Sequence, residues 1–180
     1  MLSKSPLGSA LAAACVFAGG VAASAAPAAA APASLLELTC TAASTVTYSP
    51  GLTLAPTLQT VTFDVSYSGC TSPLGTSGVT SGSRHGSFQD IRSCLALPAS
   101  ATQSFPVDWN AGASSQVSGT TQSVDAAGQV VHIIIGPVMT GQFAGDTYVE
   151  EINQASLDLL QCALGTGVKS QTGVGVVTLT

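Results

Sequence analysis

A chain of 180 residues with four Lys and Arg, nine Asp and Glu and a formal net charge of −5 has too few cations to neutralise a phosphate backbone or to settle on an anionic membrane, which excludes nucleic acid as a partner. Charged residues make up only 7% of the sequence, so the surface must be built from hydroxyls and amides. A composition led by Ser, Thr, Gly, Val and Ala suits strands and turns better than helices.

Residues 1–33 read as an export signal. Lys4 precedes an alanine-dominated apolar stretch from Leu7 to Ala26, and small-x-small sites such as Ala23-Ser24-Ala25 follow, which is the order a signal peptidase requires. Cleavage is expected between Ala25 and Ala33, taking Cys15 with the discarded segment, so no membrane insertion is expected of the exported chain. Residues 34–180 have the length of one domain with one core. There the cations are Arg84, Arg92 and Lys169, against all nine acidic residues.

From Leu35 onward, short alternating runs are separated by Gly, Pro, Ser and Asn. "LLELTCTAASTVTY" (35–48) holds two alternating pieces and ends at the turn Ser49-Pro50-Gly51. "LQTVTFDVSY" (58–67) is the clearest strand, with Val61, Phe63, Val65 and Tyr67 on one face. A weaker strand lies within Val79–Phe88, in a turn-rich segment. "SFPVDWNAG" (104–112) alternates Phe105, Val107 and Trp109, and that period places Trp109 in the core rather than on a sugar-stacking surface. "SSQVSGTTQSV" (114–124) is polar and suits an edge or a solvent-facing position. "VVHIIIGPVMTGQFAG" (130–145) is apolar on both faces apart from His132, which fits a central strand, and Gly136-Pro137 is expected to break its ladder. "QFAGDTYVEEI" (142–152) returns antiparallel. Residues 155–164 fit helix or strand, and "TGVGVVTLT" (172–180) closes the chain as a strand. Eight to ten strands with frequent turns predict an all-β fold, an antiparallel β-sandwich of Ig-like or Greek-key type.

Several pieces in this order, Thr39-Cys40, "TVTYSPGL" (45–52), Cys70, "SCL" (93–95), Trp109-x-x-Gly112-x-Ser114, Gly141-x-Phe143-x-Gly145 and "LLQCALGTGV" (159–168), resemble a group of small secreted actinobacterial proteins. That resemblance implies a β-sandwich and export, and it brings no activity and no catalytic residue.

Past the export signal, four cysteines remain: Cys40, Cys70, Cys94 and Cys162. An even number in an oxidising compartment implies two disulfides, and no pair has zinc-ligand spacing. Of the three pairings, Cys70 with Cys94 around the turn-rich segment and Cys40 with Cys162 around it is the one expected.

The search for chemistry finds little. No serine stands in a nucleophile elbow, no histidine pair has metal spacing, and no cofactor is expected. His85 sits in a Gly-Ser loop and His132 in mid-strand. Glu150 and Glu151 are adjacent on a strand, so they face opposite ways and cannot pair as glycosidase acids. His85, His132, Asp108, Asp146 and Glu150 remain the weak candidate polar site, and Tyr48, Tyr67 and Tyr148 the candidate exposed aromatics. The expected function is a secreted, non-catalytic protein that binds or contributes to the cell surface, with a cell-wall or glycan contact as its partner class. The alternatives are a carbohydrate-binding module and a hydrolase using His85 or His132.

Overall fold

Alternating burial along eight strands decides the architecture. In a computed structural model, which describes residues 35–180 except 74, 76, 97, 165 and the side chain of 111, these are β1 (Leu38–Leu52), β2 (Thr57–Thr71), β3 (Gly82–Arg92), β4 (Ala101–Trp109), β5 (Ser114–Ala126), β6 (Gln129–Gly141), β7 (Thr147–Ala155) and β8 (Val168–Leu179). One helical turn and a half, α1 (Leu159–Ala163), precedes β8, with Asp158 capping it by accepting from the Leu160 amide. The expected export signal lies outside the described residues.

The fold is all-β with two disulfides, but it is not a sandwich. Each strand pairs antiparallel with its chain neighbour, and β1 pairs with β8 from Leu38↔Leu179 to Thr47↔Ser170, so the sheet closes into a barrel. A sandwich needs the chain to cross between two layers, and no such crossover exists among the described strands. One-sided alternation satisfies either architecture, which is why the sequence pattern does not separate them. Register bulges in β1 between Thr39 and Thr41, and in β5 between Gln116 and Val117, supply the local twist that curls the sheet.

The structure corrects two strand expectations and divides a third. The polar β5 is no edge: it pairs with β4 and β6. Gly136-Pro137 interrupts the ladder of β6 with β5, which skips from Val117↔Val138 to Thr120↔Ile135, as expected, but not the ladder with β7, which runs through to Pro137↔Thr147. His85 lies on β3 rather than in a loop. The one weak seam is β3–β4, which pairs only at Gly82↔Trp109 and Ser83↔Asp108 before the two strands part.

One end of the barrel is plugged. Leu38, Cys40, Tyr67, Trp109, Tyr148 and Leu179 belong to the main core. Trp109 lies there as expected, 5.7 Å from the Tyr67 ring and 5.6 Å from that of Phe143, with its indole N–H donating to Ser115 Oγ at 2.8 Å. Tyr48, Tyr67 and Tyr148 are all buried, so none is the exposed aromatic that sequence suggested.

The disulfides are Cys40–Cys70 and Cys94–Cys162, not the nested pair. Cys70 ends β2 at the plugged end and Cys94 follows β3 at the other, so the length of β3 separates them. The β1–β2 register sets Thr39 against Thr71 and so brings Cys40 beside Cys70. Cys94 and Cys162 then join the β3–β4 loop to α1.

The inward glycines of β8 let the neighbouring strands pack close. Val177 and Leu179 fill the plugged end, whereas a side chain at Gly173 would run into Ile152, Gln154 and Ser44. At Gly175 a Cβ would lie 1.7 Å from the Glu151 carbonyl oxygen, so β7 and β8 approach there as only glycine allows. We expect Gly175→Ala to lower stability by about 1–3 kcal/mol, read as a shifted urea midpoint at constant slope.

Candidate functional site

The inward positions beyond the core line a cavity that starts at the end opposite the plug. Its outer part, about 270 Å³, is bounded by Tyr48, Arg92, His132, Gln154 and the β3–β4 loop and α1 segments that Cys94–Cys162 ties together. An inner part, about 120 Å³, continues between Val46, Phe63, Phe88 and Ile134 down to Arg84 and Glu150. The two share Tyr48, Arg92, Pro98, His132 and Gln154, so they form one lumen. Eight-stranded barrels either fill their interior with side chains or leave room for one small molecule.

The floor is a buried ion pair. Arg84 Nε donates to Glu150 Oε2 at 3.0 Å and Nη2 donates to Oε1, while the hydroxyls of Tyr148 (2.6 Å) and Tyr67 also donate to Oε2. Burial alone would raise the Glu150 pKa, but the Arg84 charge and these donors hold it below the ordinary carboxylate range. Burial by itself would lower the Arg84 pKa; the Glu150 charge reverses this and raises it. Both tyrosines are pushed well above their usual value, first by burial and then by the Glu150 charge. Buried, held by four donors and paired with Arg84, Glu150 is a structural anion rather than a general base. The guanidinium also stacks over Phe63 at 4.8 Å and Phe105 at 5.2 Å.

His132 projects into the lumen from β6. Its Nε2 donates to Gln154 Oε1 at 3.0 Å, and its Nδ1 accepts from the Ser123 hydroxyl at 2.8 Å. Burial lowers its pKa, the Gln154 contact opposes this, and the Arg92 charge lowers it further, so the ring is neutral at physiological pH. Among the candidates named from sequence, His132 and Glu150 share this lumen. The other three do not. His85 is exposed on the outer face of β3 opposite Asp64, and Asp108 is exposed on β4. Asp146 lies at the plugged end, where burial and the nearby Glu37 raise its pKa. Glu150 and Glu151 do face opposite ways, one buried and one exposed.

Sequence reasoning missed Arg84, Arg92 and Ser44. Ser44 is 6% exposed and borders the inner lumen, and its hydroxyl has no hydrogen-bond partner among the described residues. A usable signal was present: two of the three cations after residue 33 sit at even spacing on one strand, Arg84 and Arg92, and therefore share a face. No cluster of three or more His, Cys, Asp or Glu side chains able to hold a metal ion occurs among the described residues.

Fold and cavity thus define a closed eight-stranded antiparallel barrel with an interior lumen open toward one end. No protein-family model, curated protein or solved structure matches this chain.

Proposed function

We propose that this is an extracellular, non-catalytic protein that holds a small, mostly apolar molecule inside its barrel. The observation that carries the reading is the lumen itself, with the unpartnered Ser44 hydroxyl buried in its wall. A buried hydroxyl without a partner costs about 1–3 kcal/mol, a cost that a bound acceptor or donor removes. The two disulfides suit an oxidising compartment. The outer face of β1 suits water, with Thr39, Thr41, Thr45 and Thr47 turned outward, whereas β6 and β8 also expose Ile135, Met139, Val174 and Val176.

The test is a titration with N-phenyl-1-naphthylamine, a neutral dye that fluoresces in apolar cavities. Saturable enhancement is expected with the natural protein and none with Val46→Trp, which fills the lumen from a half-buried wall position. Equal enhancement in both proteins, or none in either, refutes the reading. Ser44→Ala is expected to raise unfolding stability by about 1 kcal/mol, measured by urea denaturation, because the empty barrel no longer carries the orphan hydroxyl.

One observation favours a second reading, hydrolysis at His132: the Ser123 hydroxyl is placed to give its proton to the imidazole. The third partner is a neutral amide, which cannot stabilise an imidazolium as a carboxylate does. Ester hydrolysis abolished by Ser123→Ala would favour this reading over the first.

A further inference from the structure

Resting on the lumen reading, we infer that the ligand is an apolar-bodied monocarboxylate whose acid group is held by Arg92. Arg92 ends β3 and lines both parts of the lumen. Its ion pair with Asp90 uses Nε alone, at 3.1 Å, and its side chain is 17% exposed. Neither terminal nitrogen has a partner among the described residues, which leaves four N–H groups at the place where the outer cavity meets the inner one. The guanidinium is fixed by stacking 5.4 Å over the Phe88 ring. Planar, fork-like and pre-oriented, it matches a carboxylate, which accepts two parallel N–H bonds.

The surroundings fit the rest of such a molecule. Phe63, Phe88, Val46 and Ile134 wall the inner lumen and take an apolar body. Arg84 cannot serve as the acid's anchor, because Glu150 takes both its Nε and its Nη2, whereas Asp90 takes only the Nε of Arg92. Asp125 borders the outer cavity and, like Asp90, opposes an anion. Both carboxylates are open to water, which screens them, whereas the Arg92 side chain is only 17% exposed. The charge balance of the chain points the same way. In a protein of net charge −5 the few cations are not spread over the surface; two of them line the lumen.

The experiment is calorimetric titration of the natural protein and of Arg92→Gln with octanoate and with octan-1-ol. The natural protein is expected to bind octanoate at least about tenfold more tightly than the alcohol, the worth of a charge-assisted hydrogen-bonded pair. Arg92→Gln is expected to lose that preference while its affinity for octan-1-ol stays the same. A natural protein that binds the alcohol as tightly as the acid, or an Arg92→Gln that keeps the preference, overturns the inference and leaves the lumen reading intact. Failure to bind either compound or the neutral dye overturns both.

Discussion

Glu150→Ala is expected to cost about 3–5 kcal/mol, because it leaves the Arg84 guanidinium buried without its counter-charge. A domain of this size has about 5–15 kcal/mol in all, so the variant should lie near its unfolding threshold at room temperature. The loss comes from an orphaned charge, not from absent attraction, and the double variant Arg84→Met with Glu150→Leu separates these. It removes both charges, and of the hydroxyls of Tyr67 and Tyr148, 2.7 Å apart, one then donates to the other. We expect it to recover most of the stability, read as the urea midpoint; a double variant as weak as the single one would contradict this account. Acid titration gives an independent reading. The folded-state pKa of Glu150 is depressed, so its contribution is fully present above the unfolded value of about 4.3 and is lost as pH falls through the lower folded value. The natural protein should therefore lose stability steeply in that acid range, and the double variant less so.

The second large effect lies at the other end of the barrel. Replacing Cys94 and Cys162 together with serine opens a cross-link spanning 68 residues, and loop entropy puts the loss at about 4 kcal/mol. The same change unties the β3–β4 loop from α1, the two segments that bound the outer cavity. Dye binding should weaken even under conditions where the barrel stays folded. Peptide mapping without reduction should recover Cys40 joined to Cys70 and Cys94 joined to Cys162. Any Cys70–Cys94 peptide would contradict the strand register.

Much of the fold was legible in the sequence. Strand positions follow from alternation, as in β2, where Val61, Val65 and Tyr67 are buried on one face. Trp109 in the core follows from its period with Phe105 and Val107. Closure was not legible, because it depends on whether the last strand meets the first, and Leu38↔Leu179 is a contact between the two ends of the domain that no local pattern encodes. The disulfide pairing failed for the same reason: spacing along the chain suggested a stapled loop, but β3 carries Cys94 to the far end. The tyrosines were misread because their hydroxyls suggest exposure, whereas Tyr67 and Tyr148 spend them on Glu150. Of the candidate site, His132 and Glu150 were visible as titratable residues on strands. Arg84 and Arg92 were visible as well, but only a closed barrel makes a shared strand face an interior.

The β3–β4 junction gives this barrel an asymmetry. Seven of its ladders run for seven or more residue pairs, while this one is held by two. Thermal breathing therefore concentrates on a single longitudinal fissure, whose lips carry Phe88 and Gln103, both bordering the inner lumen. On the proposed reading a guest need not thread past the strapped rim: this fissure offers a sideways route through the hull that leaves the Cys94–Cys162 strap fastened.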